Sequence, residues 1–446
     1  MAIKRPDLNS EKLCILLDTE SLGKVEETEL NSLQKLLKYK NTNNLEMIRA
    51  PGETEIPELL IVPSYVEEVD SKNDFSTIKI NRKDSIRGTV FGFIEEDIRR
   101  LGNEFFKKES MNSFEYTSIR QLFIWSALFN HQENCKIFIT HNSKLLRKRN
   151  WLESRISVSA LGIVTIDEAI EIMGLFLRRH GKYHIHSNYH VNNGLWYWLS
   201  FRSKIKHFIV GEKYLDSFSR RFVFLLTCLD EIGYQYYSNV NNDTAENTLY
   251  HFNYLITLIT GIFDSLALQT NTHYEMGFSP QMISLSSKAA QDFLRAIERK
   301  DPLLRRHINE YVDLINLIYG FREVIVHREM FDWVRYESRV EDNKFNTNYV
   351  VIDENRRKLI SKCKDKKLKY DPFKMYGLFI DGGNYYLEPY QFAKTVCSKL
   401  IAFSDRYLEL LGFTNFLLES KKSGIHEQFT GDIEAFETSS LEYKLF

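Results

Sequence analysis

The chain is poor in the residues that break or cross-link regular structure. Its 446 residues include only 8 prolines, 20 glycines and 5 cysteines. So little proline and glycine excludes collagen-like and proline-rich disordered segments of any length. The odd number of cysteines and the lack of any C-x-x-C pair argue against a disulfide framework and a cysteine-rich zinc site. We therefore expect a protein of a reducing compartment.

An excess of charge of one sign is also missing. Lys and Arg number 59 against 60 for Asp and Glu, a net charge of −1. This balance excludes binding to nucleic acid over the whole surface but not at a local basic site. The longest apolar stretch, residues 252–268, is interrupted by Asn253 and Asp264, which argues against a membrane span. The N-terminal residues lack the apolar core of a signal peptide. We expect a cytoplasmic protein with no membrane partner.

The hydrophobic pattern of residues 1–180 predicts an α/β domain. At about 150 residues per domain, the length predicts two or three domains in all. Buried runs in the first 180 residues alternate with helical patterns, which predicts a parallel sheet covered on both faces. The polar, mixed-charge sequence of residues 71–115 interrupts this order and predicts a partly helical insertion. The four apolar runs are residues 13–17, 59–62, 136–140 and 162–166.

The pattern changes to a helical period beyond a His-, Asn- and Gly-rich stretch at residues 181–194, which predicts a linker. Residues 195–446 predict a mainly α-helical bundle with a β insertion. The expected helices are 247–268, 304–318 and 390–411, and the β-rich stretches are 331–352 and 375–387.

Arg322 and His327 form an R-x4-H pattern at the end of a predicted helix. Arg322 continues the stripe of Tyr311, Ile315 and Ile318, so we expect it to project into a seam between helices. A bare Arg there is unfavourable unless an anion, a carboxylate or a partner subunit meets it. Two interpretations follow: the pair acts on a phosphate, or Arg322 forms an ion pair inside the bundle while His327 caps the helix.

Arg322, Glu323 and His327, together with the helix before them, resemble the HEPN superfamily. Its members are mostly helical, dimeric domains that often act as metal-independent ribonucleases. The resemblance implies an RNA substrate, a homodimer and no cofactor, with Arg322 and His327 catalytic and Glu323 supporting. It also implies an endoribonuclease of toxin or abortive-infection type in anti-phage defence, whose partner is an antitoxin or another defence protein. RNA suits this chemistry because its 2′-hydroxyl can attack its own phosphate.

The strand ends of the first 180 residues resemble a PIN domain, an α/β nuclease whose clustered carboxylates bind Mg²⁺ or Mn²⁺. Asp18 matches the first acid and Glu68 falls near the second. Arg120 and Asn142 occupy two further acid positions, so the resemblance implies a PIN-like domain that lacks part of its acidic site. Two alternatives stay open: a metal-dependent PIN-type ribonuclease with its metal at Asp18 and Glu68, and a non-catalytic subunit that binds RNA or protein.

Two basic stretches could contact phosphate groups of RNA. One spans residues 144–149, and the other spans residues 356–369. Each pattern is also typical of an ordinary solvated surface. The candidate RNA-binding residues of the first stretch are Lys144, Arg147, Lys148 and Arg149.

Overall fold

The computed structural model divides the chain into two compact units, one built mainly from residues 1–181 and the other mainly from residues 182–446. The α/β class of the first unit and the mainly helical class of the second are confirmed. The predicted linker, residues 181–194, lies outside the described residues. The structure describes residues 13–23, 25, 27–37, 45–50, 57–60, 62, 64, 66–72, 75–80, 89–106, 113–132, 135–155, 162–179, 212–238, 240–286, 290–327, 330–336, 347–363 and 371–412.

The first unit alternates strands and helices. Its strands are β1 (Leu13–Leu17), β2 (Leu45–Arg49), β3 (Val66–Lys72), β4 (Phe75–Ile80), β5 (Thr89–Ile94), β6 (Cys135–Ile139) and β7 (Gly162–Val164). Its helices are α1 (Thr19–Leu22), α2 (Glu27–Leu37), α3 (Pro57–Leu60), α4 (Glu95–Phe106), α5 (Ser113–Gln132), α6 (Ser143–Arg147), α7 (Arg149–Arg155) and α8 (Ile166–Arg179).

A four-stranded parallel sheet in the order β2-β1-β6-β7 forms the centre of the first unit. All five residues of β1 are buried, as expected for a strand covered on both faces. On one face Trp125 of α5 packs against Phe138 and donates a hydrogen bond to the Cys135 carbonyl at 3.1 Å. The chain crosses from β1 to β2 on one side and reaches β6 on the other. The carboxyl ends of β1 and β6 therefore form the switch point where such sheets bind ligands.

A separate antiparallel sheet, in the order β3-β4-β5, lies within and before the predicted insertion. The expectation of a partly helical segment over residues 71–115 is met by α4 and the start of α5, but residues 66–94 contribute three strands. The segments FSTIKI and TVFGFI are rich in the β-branched and aromatic residues that favour strands.

The prediction of a parallel strand over residues 59–62 is wrong. Residues 57–60 form α3, and Pro57 occupies the first helical position, where its fixed φ angle and missing N–H favour a helix. The second parallel strand is instead β2, whose Glu46 and Arg49 made it less apolar than its neighbours.

The second unit consists of long helices and one small sheet. Its helices are α9 (Glu212–Tyr237), α10 (Asn242–His273), α11 (Gln291–Lys300), α12 (Pro302–Glu310), α13 (Val312–His327), α14 (Glu354–Lys362), α15 (Pro372–Met375) and α16 (Pro389–Leu410). Its strands are β8 (Trp333–Tyr336), β9 (Thr347–Ile352), β10 (Leu378–Asp381) and β11 (Asn384–Leu387), in the antiparallel order β10-β11-β9-β8.

Helix α10 lies at the centre of the second unit and packs against both α13 and α16. By length and composition it is the one helix among the described residues that could cross a membrane, and 72% of its most apolar window is buried. Such burial is what we expect of a core helix. Its Phe252 ring lies 6.3 Å from Phe321 of α13 and 5.5 Å from Phe392 of α16.

The helix predicted over residues 304–318 is two consecutive helices that meet at Tyr311. Tyr311 ends α12 by donating its N–H to the Ile308 carbonyl at 3.2 Å. Its own carbonyl accepts the N–H of Ile315 at 3.0 Å and so starts α13. This break leaves α13 as the helix that carries the R-x4-H pattern to its last residue, His327.

Candidate functional site

The predicted first acid, Asp18, follows β1 directly and is 0% exposed. Its N–H donates to the Ile139 carbonyl at 2.9 Å, which ties β1 to β6. Its carboxylate accepts hydrogen bonds at 2.7 Å from the hydroxyls of Ser21 and Thr140. It also accepts the Ser21 N–H at 3.3 Å and so caps α1. Burial raises the pKa of Asp18, whereas the hydrogen bonds from Thr140 and Ser21 act in the opposite direction.

The residues around Asp18 continue this network. The hydroxyls of Ser21 and Thr140 lie 2.9 Å apart, and the N–H of His141 donates to Ser21 Oγ at 2.9 Å. Asn142, at a position where the PIN resemblance expects an acid, caps α6 by accepting the N–H groups of Lys144 and Leu145. The switch point is therefore organised as a helix-capping network between two adjacent strands.

Glu68, the predicted second acid, does not follow a strand of the parallel sheet. It lies within β3 of the antiparallel sheet, opposite Ile78 of β4, and its side chain lies outside what the structure describes. Arg120 lies on α5 and is half-buried. In the described ranges, no group of three or more His, Cys, Asp and Glu side chains is placed to hold a metal ion.

The basic stretch 144–149 separates into exposed and buried members. Lys144 and Arg147 are exposed and Lys148 is half-buried. Arg149 is 1% exposed, and its guanidinium bonds both carboxylate oxygens of Glu168, at 2.9 and 3.1 Å. Its assignment to an RNA-binding surface is corrected by this burial, because it joins α7 to α8 instead.

A half-buried carboxyl group beside Arg149 was not anticipated from the sequence. Glu153 of α7 accepts the N–H of Ile163 at 2.7 Å, next to β7. Gly162, with a φ of +92°, leaves the space it needs, because a Cβ there would lie 2.6 Å from Glu153 Oε1. Burial raises the pKa of Glu153 to about 7, while the Ile163 hydrogen bond and the Arg149 charge lower it.

In the second unit, Arg322 lies on α13 and is half-buried. The charges of Arg322 and of Arg221 on α9 both act on the carboxylate of Asp264 on α10. Tyr319, one turn before Arg322, donates its hydroxyl to Asp264 Oδ1 at 2.6 Å. The carboxylate that the sequence required for an Arg in a helix seam is thus Asp264, which is itself half-buried.

Ionisation in this cluster is set by burial and by the neighbouring charges. Burial raises the pKa of Asp264, and the Tyr319 hydrogen bond and both arginines act against that rise. The pKa of Tyr319 is also raised by burial and by the adjacent Asp264 charge, so its hydroxyl stays protonated as a donor. The Tyr319 ring stacks on Phe263 with centroids 6.4 Å apart, which holds the hydroxyl in place.

The other two residues of the HEPN-like pattern lie on the same helix. Glu323 is exposed, one residue after Arg322 and one turn before His327. His327 is the last residue of α13, and its side chain lies outside what the structure describes. Two apolar side chains near this helix end are exposed, Val326 at 50% and Met330 at 74%.

The partners of Arg322 could not be identified from the sequence, although one signal was present. Asp264 interrupts an otherwise apolar helix, and a charged residue in such a position requires a partner. Tyr319 precedes Arg322 by three residues, so both lie on one face of α13.

Comparisons of the chain with protein-family models, with curated proteins and with solved structures found no match. The function proposed below is therefore supported by the chain's own residues, by their geometry and by the resemblances already described.

Proposed function

We propose that the second unit is a metal-independent endoribonuclease of the HEPN type, acting in the cytoplasm as a homodimer. The observation that supports it best is the cluster of Arg322, Asp264 and Tyr319. Tyr319 donates a hydrogen bond to Asp264, the Arg322 charge acts on the same carboxylate, and Arg322 is half-buried near the end of α13 instead of fully enclosed in the core. A partly exposed guanidinium can bind two oxygens of a phosphate at once.

The proposed reaction uses the 2′-hydroxyl of RNA as the nucleophile, so it needs no cofactor. As the 2′ oxygen bonds to phosphorus, one His327 accepts the hydroxyl proton. As the bond from phosphorus to the 5′ oxygen breaks, a second His327 donates a proton to that leaving oxygen. The products are a 2′,3′-cyclic phosphate and a 5′-hydroxyl. Arg322 opposes the negative charge that grows on the phosphate oxygens, and Glu323 supports the site as its exposed neighbour.

A homodimer is part of the proposal because one histidine cannot be acid and base in the same step. Exposed apolar side chains near the end of α13 support such an interface. They are Val326 and Met330, at 50% and 74% exposure. Exposed apolar groups of this kind commonly mark interaction surfaces.

The first unit is proposed to bind RNA or a partner protein, such as an antitoxin or another component of an anti-phage defence system. Its exposed Lys144 and Arg147 can contact phosphates or an acidic partner. The toxin or abortive-infection role is supported by the HEPN resemblance. Asp18 stays the candidate ligand for Mg²⁺ or Mn²⁺ in the competing proposal of a PIN-type nuclease.

The test is cleavage of labelled RNA by the purified full chain in EDTA. We expect cleavage to persist in EDTA, and Arg322→Ala and His327→Ala each to reduce it about 100- to 1,000-fold. The control is Arg306→Ala, which removes an exposed arginine of α12 whose partner, Glu310, is 3.7 Å away. Products ending in a 2′,3′-cyclic phosphate are expected.

Other outcomes assign the chain differently. Cleavage that is lost in EDTA and in Asp18→Asn, but kept in Arg322→Ala, would place the activity in the first unit. An absence of cleavage under both conditions, with a stable RNA or protein partner recovered, would show a non-catalytic binding subunit.

A further inference from the structure

A polar cleft runs between α13 and α14, beside the proposed site. Its volume is about 450 Å³, within the range of roughly 300–1,000 Å³ typical of ligand sites. Glu323 lines one end of it, and that residue directly follows Arg322 and lies one helical turn before His327. A ligand in the cleft would therefore extend from the proposed catalytic residues.

The two walls of the cleft carry opposite charge. The α13 wall presents Asp313, Asn316 and Glu323, and the α14 wall presents Lys358 and Lys362. Asp313, Glu323 and both lysines are exposed. The two lysines are four residues apart, so they lie on one face of α14 with their Cβ atoms about 5–6 Å apart.

The floor of the cleft is fixed by contacts between the two helices. Gly320 of α13 meets Leu359 of α14, and a Cβ at Gly320 would lie 2.3 Å from Leu359 Cδ1. Arg356 is 3% exposed and donates to the Gly320 carbonyl at 3.0 and 3.3 Å, with its charge paired to Asp353 at 2.6 Å. Because Arg356 is buried and paired, the positive charge facing a ligand comes from the exposed Lys362 and Lys358. Lys358 also lies 3.6 Å from the carboxylate of Glu354.

We infer that this cleft binds the single-stranded RNA that flanks the cleaved phosphate, an inference that rests on the proposed function. The lysine wall attracts the phosphates, and the acidic wall repels them, so the backbone lies along α14 and the bases point toward α13. Carboxylates accept hydrogen bonds from exocyclic amino groups, which cytosine carries and uracil lacks. The cleft therefore favours cytosine over uracil.

The experiment measures binding, not cleavage, so that it separates this inference from the proposed function. Full-length His327→Ala protein is titrated with labelled ten-nucleotide oligo(C) and oligo(U) at several salt concentrations. We expect oligo(C) to bind about tenfold more tightly, a difference within the range for one base contact. Asp313→Asn should reduce this ratio toward one, because it removes one acceptor charge from the base-facing wall.

The lysine wall is tested by Lys358→Gln/Lys362→Gln. This variant should weaken both oligonucleotides and reduce the slope of log affinity against log salt by about 1.4, since each phosphate contact to a single strand contributes about 0.7. The matched control is Lys300→Gln/Lys374→Gln, which removes two exposed lysines of the same unit that do not line the cleft. The control should leave the slope unchanged.

Three results would overturn the inference. One is an unchanged affinity and salt slope in Lys358→Gln/Lys362→Gln while wild-type protein still cleaves RNA, which would leave the proposed function standing. Another is equal affinity for oligo(C) and oligo(U). The last is equal competition by polyglutamate of matched charge, which would show a general anion site. If wild-type protein does not cleave RNA but still binds oligo(C) through the two lysines, only the proposed function is overturned and the binding inference stands.

Discussion

Each unit holds an arginine and a carboxylate that bear on a candidate site. The two units bury these side chains to different degrees. In the first unit Arg149 is 1% exposed and bonded to Glu168, and Asp18 is 0% exposed. In the second unit Arg322 and Asp264 interact while both are half-buried. Arg149 and Asp18 are therefore enclosed within the first unit, whereas Arg322 and Asp264 are each partly exposed to solvent.

This difference favours a structural role for Arg149 and Asp18 and is compatible with the chemical role proposed for Arg322. The hydrogen bonds that Asp18 accepts from Ser21 and Thr140 occupy oxygen lone pairs that a metal ion would need. Arg322 lies near the charge of Asp264 and retains partial exposure, which suits the phosphate binding proposed for it. A residue's match to a pattern therefore says less about its role than the partners that the fold gives it.

The largest expected effect is the difference in stability loss between substitutions of the two arginines, Arg149 and Arg322. Arg149→Ala should lower the free energy of unfolding of the first unit by about 3 kcal/mol, because it leaves the partly buried Glu168 without its ion pair. Arg322→Ala should lower that of the second unit by about 1 kcal/mol or less. Urea unfolding followed by hydrogen exchange reports both units. Arg147→Ala is the control and should stay within about 0.5 kcal/mol of the wild type. Equal losses for Arg149→Ala and Arg147→Ala would break the comparison.

Substitution of the two carboxylates, Asp18 and Asp264, should give effects of intermediate size. The first is expected to change stability and the second to change catalysis. Asp18→Asn should destabilise the first unit by about 1–2 kcal/mol, because an amide is a poorer acceptor for two buried hydroxyls, and should leave RNA cleavage unchanged. Asp264→Asn keeps the Tyr319 hydrogen bond but removes the negative charge that acts on Arg322. We expect kcat to fall about tenfold, while KM does not rise because a negative charge near the phosphate has been removed. A rise in KM with constant kcat would contradict this role.

The smallest effect concerns Glu153, whose pKa is raised to about 7 in the folded protein from an ordinary value of 4.5. Between these two pH values the folded protein holds a proton that the unfolded chain has released, so stability falls as pH rises through the window. Glu153→Gln should remove this loss, on the order of 1 kcal/mol, when unfolding is measured at pH 5 and pH 8. Glu104→Gln, at an exposed carboxylate of α4, is the control. An identical pH dependence in both variants would rule out Glu153 as its source.

Much of the secondary structure could be predicted because local pattern and environment agree there. The run LCILL is apolar throughout, CKIFI is apolar except for Lys136, and the two form neighbouring strands that are almost fully buried. The Gly382 and Gly383 turn could also be predicted, since both residues have positive φ between β10 and β11. The prediction of a strand over residues 59–62 failed because a short apolar run fits a strand or a helix equally well. Pro57 at the first helical position favours the helix.

The candidate site was only partly predictable for a different reason. Arg322 could be selected from its place on the helical stripe, but its counter-ion lies 58 positions earlier in the chain, and no local pattern links the two. The burial of Arg149 was hidden in the same way, because its partner Glu168 lies 19 positions later in the chain. Periodicity assigns a residue to a face, whereas the partner on that face depends on how distant elements pack.

The hydrogen bond between Asp18 and Thr140 joins residues 122 positions apart. During synthesis at roughly 5–20 residues per second, Thr140 is added about 6–24 s after Asp18. Over that interval β1 can pair only with β2, and its other edge, made of the apolar run LCILL, has no strand beside it. The first unit is thus a fold of high contact order, and its sheet is completed late in synthesis. For some seconds the nascent chain exposes an unpaired strand edge, which can pair with another chain until β6 occupies it.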